Sequence, residues 1–106
     1  MKSIQITEEL QNKVNNLKQD EVLLDVRTEA EFQQGHIAGA VNFDISSPNI
    51  MQEIVNLDNS KTYIVYCRSG GRSQMASMIM QQKGLKVINS SVGIIHWSKT
   101  GLELIK

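Results

Sequence analysis

The 106-residue chain contains very little cysteine and proline, one residue of each, and no excess of charge of either sign. A single cysteine excludes an internal disulfide. No apolar run approaches the roughly 20 residues that a membrane-spanning helix needs. The eleven basic and eleven acidic residues cancel, whereas nonspecific binding to nucleic acids or membrane surfaces requires a net basic face. The absence of a long apolar run and of a net positive charge indicates a protein with neither a nucleic-acid partner nor a membrane partner.

The rest of the composition is typical of a globular protein, with 41% hydrophobic and 21% charged residues. The length suits one domain, residues 1–106, with a core of its own. The first residues, "MKSIQITEELQNKVNN", lack the apolar core of a secretory signal. We therefore expect a cytoplasmic protein, and in that reducing compartment a lone cysteine stays a thiol or takes part in chemistry.

Short apolar stretches alternate along the chain with segments of helical spacing. Strands are predicted over residues 4–6, 22–26, 40–43, 63–66 and 86–89. Helices are predicted after a cap at Thr7, over 30–34, from a cap at Ser47 and Pro48, over 73–83 and over 94–98. Core packing is expected of Ile50, Met51, Ile54 and Val55 on one side of the third helix, and of Met75, Met78 and Met80. The alternation predicts an α/β fold, a mostly parallel sheet of four to five strands flanked by helices on both faces.

Cys67 comes directly after the apolar strand "YIVY". In parallel sheets, ligands bind at the carboxyl ends of the strands. A cysteine that closes an apolar strand is more often a buried hydrophobic residue than a catalyst. The next segment, "RSGGRS", favours the catalyst, because a purely structural turn requires one glycine and no pair of arginines.

Three features of this segment would stabilise a thiolate at the cysteine. Arg68 and Arg72 bring positive charge close to it. Gly70 and Gly71 let the backbone adopt a positive φ, so that several N–H groups turn inward. The helix predicted from Ser73 directs the positive end of its dipole at the loop. Because such surroundings lower the pKa of a cysteine, we predict a nucleophile within an anion-binding loop.

The spacing within the loop separates two kinds of cysteine enzyme. Four residues lie between Cys67 and Arg72, whereas protein tyrosine phosphatases and dual-specificity phosphatases carry one residue more at the corresponding place. The smaller loop suits a single sulfur atom better than a tetrahedral phosphate or arsenate. The spacing therefore favours sulfur transfer over phosphate chemistry.

The chain resembles the rhodanese (thiosulfate sulfurtransferase) family in its single-domain form. The resemblance lies in "LLDVRTEAEFQQGHIAGAVNF" (residues 23–43), in "CRSGGRS" (residues 67–73), and in Gly93, Trp97 and Gly101 near the carboxyl terminus. Many members carry paired glycines before the tryptophan, and here Val92 stands in the first of those positions. The two long motifs are specific and the resemblance covers nearly the whole chain.

The resemblance implies a two-step reaction with no cofactor and no metal. The Cys67 thiolate would take the outer sulfur of a small anionic donor such as thiosulfate as a persulfide, and pass it to cyanide or to a thiol on a small molecule or protein. The implied substrate-binding residues are Arg68, Ser69, Gly70, Gly71, Arg72 and Ser73. The Ser73 hydroxyl is expected either to donate to the sulfur or to cap the helix.

Several polar residues outside the loop favour structural roles. Asp25 interrupts an apolar strand, and a buried carboxylate requires a partner. We expect it to bridge to an arginine such as Arg27 or to a loop amide close to the site. Glu31 is expected either to form a similar bridge or to be solvated. His36 is expected to be hydrogen-bonded within a turn. Two histidines and one cysteine far apart in the sequence make no zinc pattern.

Two other functions stay open beside an active sulfurtransferase. One is a small cysteine phosphatase or arsenate reductase, which the spacing between Cys67 and Arg72 disfavours. The other is a noncatalytic rhodanese-like module that binds a protein partner. The presence of a cysteine within an intact loop argues against such a module.

Overall fold

A computed structural model describes residues 2–99 and 103–106. Within these residues, five strands alternate with five helices. In chain order they are β1 (Lys2–Ile4), α1 (Thr7–Asn15), β2 (Glu21–Asp25), α2 (Glu29–Gln34), β3 (Val41–Asn42), α3 (Ile50–Val55), β4 (Thr62–Tyr66), α4 (Gly71–Gln82), β5 (Lys86–Ser90) and α5 (Ile94–Lys99). None of the described helices is long and apolar enough to cross a membrane.

The five strands form one sheet in the order β1-β5-β4-β2-β3, and each pair of neighbours runs parallel. The central strand β4 pairs with its neighbour β2 so that Asp25 lies opposite Tyr66 at their carboxyl ends. The pairing continues for one more step, because the Val26 amide donates to the Tyr66 carbonyl at 3.1 Å. The segments that leave β2 and β4 therefore start side by side at one edge of the sheet.

Helices cover both faces of the sheet, which confirms the predicted α/β architecture. Ile54 of α3 and Met80 of α4 are buried in the cluster on one face. Leu10 of α1 and Trp97 of α5 are buried in the cluster on the other. Neighbouring residues of a strand serve opposite clusters because successive side chains point to opposite faces. A strand covered on both faces is therefore apolar over most of its length, as β4 is from Tyr63 to Tyr66.

Several predicted element boundaries are wrong. Helix α1 begins at Thr7, with Ile6 rather than Thr7 as its N-cap, and α4 begins at Gly71 instead of Ser73.

The first strand spans Lys2–Ile4 instead of 4–6, because it pairs with β5 and its partner strand ends at Ser90. Helix α3 begins at Ile50, with Asn49 rather than Ser47 as its N-cap. The Ser47 carbonyl accepts from the Ile50 amide at 3.1 Å, so a separate turn precedes the helix.

The buried face of α4 differs from the predicted one. The residues of α4 that are buried are Ser73, Ala76, Ser77 and Met80, which share one stripe of the helix. Met75 and Met78 are each 51% exposed, so their predicted core packing is wrong, and Met80 is fully buried as expected. The serines are satisfied by β5, since the Ser73 hydroxyl lies 3.1 Å from the Ser90 carbonyl. Met51 and Val55 of α3 are also exposed, because only the side of α3 that carries Ile54 faces the sheet.

The two methionines Met78 and Met80 provide a test of this helix orientation. Truncation of the fully buried Met80 in Met80→Ala should lower the free energy of unfolding by about 2–5 kcal/mol, through lost burial and a cavity. Met78→Ala on the exposed side of the same helix should change it by less than about 0.5 kcal/mol. Urea denaturation followed by circular dichroism measures both. Equal losses would contradict the orientation of α4.

Candidate active site

Cys67 lies at the carboxyl end of β4, in the segment of residues 67–73 that we call the cysteine loop. The residue is 1% exposed, and its thiol is free. Gly70 is the N-cap of α4 with a φ of +109°, and a Cβ there would lie 2.9 Å from the Ser91 carbonyl oxygen. Gly71 is already helical and has open space around it. Only Gly70 therefore has the positive φ that the sequence predicted for both glycines.

Backbone amides and one hydroxyl surround the sulfur of Cys67. The Gly70 amide donates to Sγ at 3.1 Å. Burial by itself would raise the pKa of the thiol. Hydrogen bonds from the Ser73 amide and hydroxyl and from the amides of Gly70 and Ser69 outweigh that effect, so the pKa of Cys67 lies below its ordinary value. The geometry can stabilise a thiolate, or any other negative charge that develops on that atom.

The Ser73 hydroxyl has several acceptors within reach. It lies 3.0 Å from the Gly70 carbonyl oxygen and 3.1 Å from that of Ser90. A hydroxyl has one proton, so donation to these carbonyls competes with donation to the sulfur of Cys67. Ser73 therefore anchors α4 to β5 and the loop, and also lowers the pKa of the thiol.

The start of α5 sets the direction of the peptide groups in the cysteine loop. The Ile94 amide donates to the Cys67 carbonyl at 3.0 Å, and the Ile95 amide donates to the Arg68 carbonyl at 3.1 Å. In a trans peptide the carbonyl and the following N–H point in opposite directions. Once these two carbonyls bind α5, the amides of Arg68 and Ser69 must point away from it. Helix α5 therefore favours the orientation in which the Ser69 amide donates to the sulfur of Cys67.

Gly93 allows α5 to approach the loop this closely. A Cβ on Gly93 would collide with the carbonyl oxygens of Cys67 and Arg68. Val92, which replaces the first of the paired glycines, is buried in the cluster with Leu10 and Trp97 and leaves this contact intact. Gly101, the last residue of the closing pattern, lies outside the described residues.

Asp25 and Arg27 form a buried ion pair beside the loop. The Asp25 carboxylate accepts from the Arg27 amide at 3.0 Å and from its Nη2 at 2.7 Å. The same Nη2 donates to the Gly35 carbonyl at 2.7 Å, which ties the end of β2 to the end of α2. Because Asp25 is fully buried, loss of Arg27 would leave an uncompensated buried charge, so the two side chains are held together.

Glu31 binds Arg72, a contact that sequence reasoning missed. Its two carboxylate oxygens lie 2.6 Å and 3.0 Å from the guanidinium nitrogens of Arg72. Glu31 also completes a capping box with Thr28 at the start of α2. Hydrogen bonds from Arg72, helped by those from Thr28, hold the pKa of Glu31 at about 2. The capping box was visible in "TEAE", but its partner 41 positions away was not.

The two arginines of the loop therefore differ in their electrostatic state. The charge of Arg72 is compensated by Glu31. Arg68 is exposed and makes no ion pair with any residue that the structure describes. The sequence assigned both arginines to the binding of an anion, and the geometry leaves Arg68 as the loop arginine whose charge is free for that role.

His36 makes structural contacts with α2 and with the segment near the carboxyl terminus. Its Nδ1 is 2.9 Å from the Phe32 carbonyl oxygen, and its ring stacks on that of Phe32 with centroids 3.7 Å apart. Its backbone pairs with that of Ile105 near the carboxyl terminus. Among residues 2–99 and 103–106, no group of three or more histidine, cysteine or acidic side chains is arranged to hold a metal ion.

Comparison with known proteins matches the chain to one family. Residues 7–100 match the sequence model of the family described as the rhodanese-like domain. A sulfurtransferase of Allochromatium vinosum is 37% identical over 89 residues, which cover 82% of this chain and 80% of the relative. Thiosulfate sulfurtransferase 16, chloroplastic, of Arabidopsis thaliana is 34% identical over 90 residues, which cover 74% of this chain and 75% of the relative.

The fold has a close counterpart among solved structures. A rhodanese-related protein from Thermoplasma volcanium superposes with a TM-score of 0.82 at 28% sequence identity. The superposition covers 99% of this chain and 98% of the other. The parallel sheet and its flanking helices are thus similar over the full length of both chains.

The contact between α5 and the cysteine loop predicts a large effect of Gly93→Ala. The added methyl group must push the loop carbonyls away, so we expect the melting temperature to fall by at least about 5 °C. Gly71→Ala serves as the control, because a Cβ at that position would have nothing within 4 Å and its backbone is helical. Scanning calorimetry of both variants tests the contact, and an unchanged melting temperature for Gly93→Ala would refute it.

The hydrogen bonds to Cys67 predict a pH dependence. The rate of alkylation by iodoacetamide should rise with pH around a midpoint below the ordinary cysteine pKa, because the thiolate reacts and its pKa is lowered. Ser73→Ala removes one donor, so its midpoint should move to higher pH. Ser69→Ala keeps the Ser69 amide that contributes, and its midpoint should stay at the wild-type value. Equal midpoints in all three proteins would show that the Ser73 hydroxyl does not act on the thiolate.

Proposed function

The chain belongs to the rhodanese-like domain family, and from this premise we propose that it is a sulfurtransferase whose nucleophile is Cys67. The observation that carries the proposal is the Cys67 sulfur itself. It lies at the end of β4 and accepts a hydrogen bond from the Gly70 amide, and hydrogen bonds lower the pKa of its thiol. A thiolate attacks sulfur, and the same amides would stabilise the anionic persulfide that results.

In the first step, the Cys67 thiolate attacks the outer sulfur of thiosulfate. A bond forms between the two sulfur atoms, the S–S bond of thiosulfate breaks, and sulfite leaves with the bonding electron pair. The total charge is conserved, and no other oxidant or reductant is needed. The name of the Arabidopsis relative supports thiosulfate as the donor, as does the small size of a loop with four residues between Cys67 and Arg72.

In the second step, a nucleophilic acceptor takes the sulfur. Cyanide or a thiolate attacks the outer sulfur of the persulfide and releases Cys67 as the thiolate for another cycle. A free cysteine is the resting state that this cycle requires. The reducing cytoplasm would maintain that state and supply thiol acceptors.

The two loop arginines would have separate functions in this reaction. Arg68, exposed and without an ion pair among the described residues, would bind the anionic oxygens of the donor. Arg72 would act as a positioning residue that connects the start of α4 to Glu31. Because Arg72 is paired with Glu31, it supplies no net charge for the phosphate or arsenate of the alternative enzymes.

Intact-mass analysis tests the nucleophile directly. After treatment with thiosulfate and removal of the excess, the wild-type protein should carry one added sulfur atom, which cyanide removes as thiocyanate. Cys67→Ser should carry none, because the chain contains no other cysteine. Added sulfur that persists in Cys67→Ser would show that the nucleophile is misassigned.

The same samples distinguish the alternative functions. A wild-type protein that gains no sulfur but hydrolyses a phosphate ester would be a phosphatase. A protein that does neither would be a noncatalytic module.

A further inference from the structure

The ion pair between Glu31 and Arg72 joins α2 to the first turn of α4. The Glu31 carboxylate faces the guanidinium with both oxygens, Oε1 at 2.6 Å from Nη1 and Oε2 at 3.0 Å from Nη2. Two parallel hydrogen bonds of this kind fix the orientation of the two groups as well as their distance. The negative charge of Glu31 therefore lies directly against the positive charge of Arg72.

Glu31 is held in this position by α2 as well as by Arg72. The Thr28 amide and hydroxyl donate to Glu31 Oε1 at 3.1 Å and 3.0 Å. Because hydrogen bonds from Arg72, helped by those from Thr28, hold the pKa of Glu31 at about 2, the carboxylate is ionised at neutral pH. A capping box accepts Gln as well as Glu at this place. The charge of Glu31 can therefore be removed while the helix cap is kept.

The charge of Arg72 acts on the sulfur of Cys67. Arg72 lies between Gly70 and Ser73, whose amides both donate to that sulfur. The hydrogen bond to Glu31 raises the pKa of Arg72 against the effect of burial, and attraction to a negative charge on Cys67 contributes to the same rise. Because the attraction between two charges acts equally on both, the guanidinium of Arg72 stabilises negative charge at the sulfur.

We propose that Glu31 is a positioning residue that acts through Arg72 and sets the anion selectivity of the cysteine loop. By compensating the charge of Arg72, it leaves a loop that accepts the single negative charge of a thiolate or persulfide and disfavours a dianionic oxyanion. The inference rests on the proposed sulfurtransferase function, because sulfite, which leaves in the first step, is such a dianion. Glu31 weakens the attraction of the loop for sulfite and so keeps the product from occupying the site after the transfer.

Thiosulfate carries the same two negative charges as sulfite. Its binding therefore depends on Arg68, which has no ion pair among the residues that the structure describes.

Glu31→Gln tests the effect on the thiolate. The variant keeps an oxygen that can accept from Thr28 and Arg72 but loses the compensating charge. The pH midpoint for alkylation of Cys67 by iodoacetamide should therefore move below the wild-type value, because the thiolate gains stabilisation. A loop that is merely loosened would lose amide hydrogen bonds to the sulfur, and its midpoint would move upward. The direction of the shift thus separates a role in charge from a role in structure.

Glu29→Gln is the matched control. Glu29 is exposed on the same helix, and its carboxylate accepts from Gln33 and is not paired with Arg72. The variant changes the net charge of the protein by the same amount as Glu31→Gln. Its alkylation midpoint should stay at the wild-type value, because water and salt screen an exposed charge.

Two oxyanions of similar shape test the selectivity. Sulfate carries two negative charges and methanesulfonate carries one. Each is added to the unloaded protein at constant ionic strength, and the concentration that halves the rate of Cys67 alkylation is measured. The ion pair is partly exposed, with side chains 35% and 30% accessible, so a moderate effect is expected. Glu31→Gln should lower that concentration about fivefold for sulfate and about twofold for methanesulfonate, since Coulomb energy is proportional to the charge of the anion.

Arg72→Gln provides a variant of opposite sign. Alone, it leaves the charge of Glu31 uncompensated, so more sulfate should be needed for half-protection than in the wild type. Combined with Glu31→Gln, it makes both side chains neutral, and the sulfate concentration should return close to the wild-type value. Independent structural damage would instead add up in the double variant.

Three results would overturn the inference: equal midpoints and sulfate concentrations in Glu31→Gln and Glu29→Gln, a midpoint of Glu31→Gln above that of the wild type, or no protection of Glu31→Gln by sulfate. None of these measurements requires sulfur transfer. Failure of the wild-type protein to load sulfur from thiosulfate would refute the proposed function and leave the action of Glu31 on the loop intact. Normal loading together with any of the three results would refute the inference alone.

Discussion

The hydrogen bonds from the start of α5 to the carbonyls of Cys67 and Arg68 are the constraint on which the rest of the site depends. They turn the following amides away from α5, and the donors that lower the pKa of the Cys67 thiol include the Ser69 amide. They require Gly93, because any side chain at that position would occupy the space of the two carbonyls. They also place Ile94 directly against the loop. This short contact thus sets the direction of the loop peptides, and the Ser73 amide and hydroxyl add the larger hydrogen bonds to the sulfur.

Ion pairs compensate most of the charged side chains around the site and leave one of them, Arg68, without a partner among the described residues. Asp25 with Arg27 and Glu31 with Arg72 connect β2, α2 and α4 through pairs in which each charge has a partner. These ion pairs hold the three elements in position relative to one another, but they leave no net charge that could bind a ligand. Arg68 is exposed and has no ion pair among the described residues. Of the two arginines in the loop, one is therefore held by an ion pair and the other keeps an uncompensated charge.

Helix α4 shows why local pattern predicted the helix but not its buried face. The pattern of α4 contains methionines at helical spacing, and hydrophobicity alone directs them to the core. The structure buries Ser73 and Ser77 instead, since α4 begins at the cysteine loop and Ser73 must reach both the loop and β5. Met75 and Met78 are exposed as a consequence. At the start of α2, sequence reasoning missed both the capping box at Thr28, which has a local signal, and the Arg72 that binds its glutamate, which has none.

Local patterns in the sequence predicted the alternation of strands and helices, the mostly parallel sheet with helices on both faces, and the position of Cys67 after a buried strand. These features follow from apolar periodicity and from local residue preferences, which act within a few positions of the chain. Packing between distant segments decides which loop arginine is neutralised and which way the carbonyls of Cys67 and Arg68 point. Those contacts join residues tens of positions apart, and their partners are set by how α2, α4 and α5 pack at one edge of the sheet.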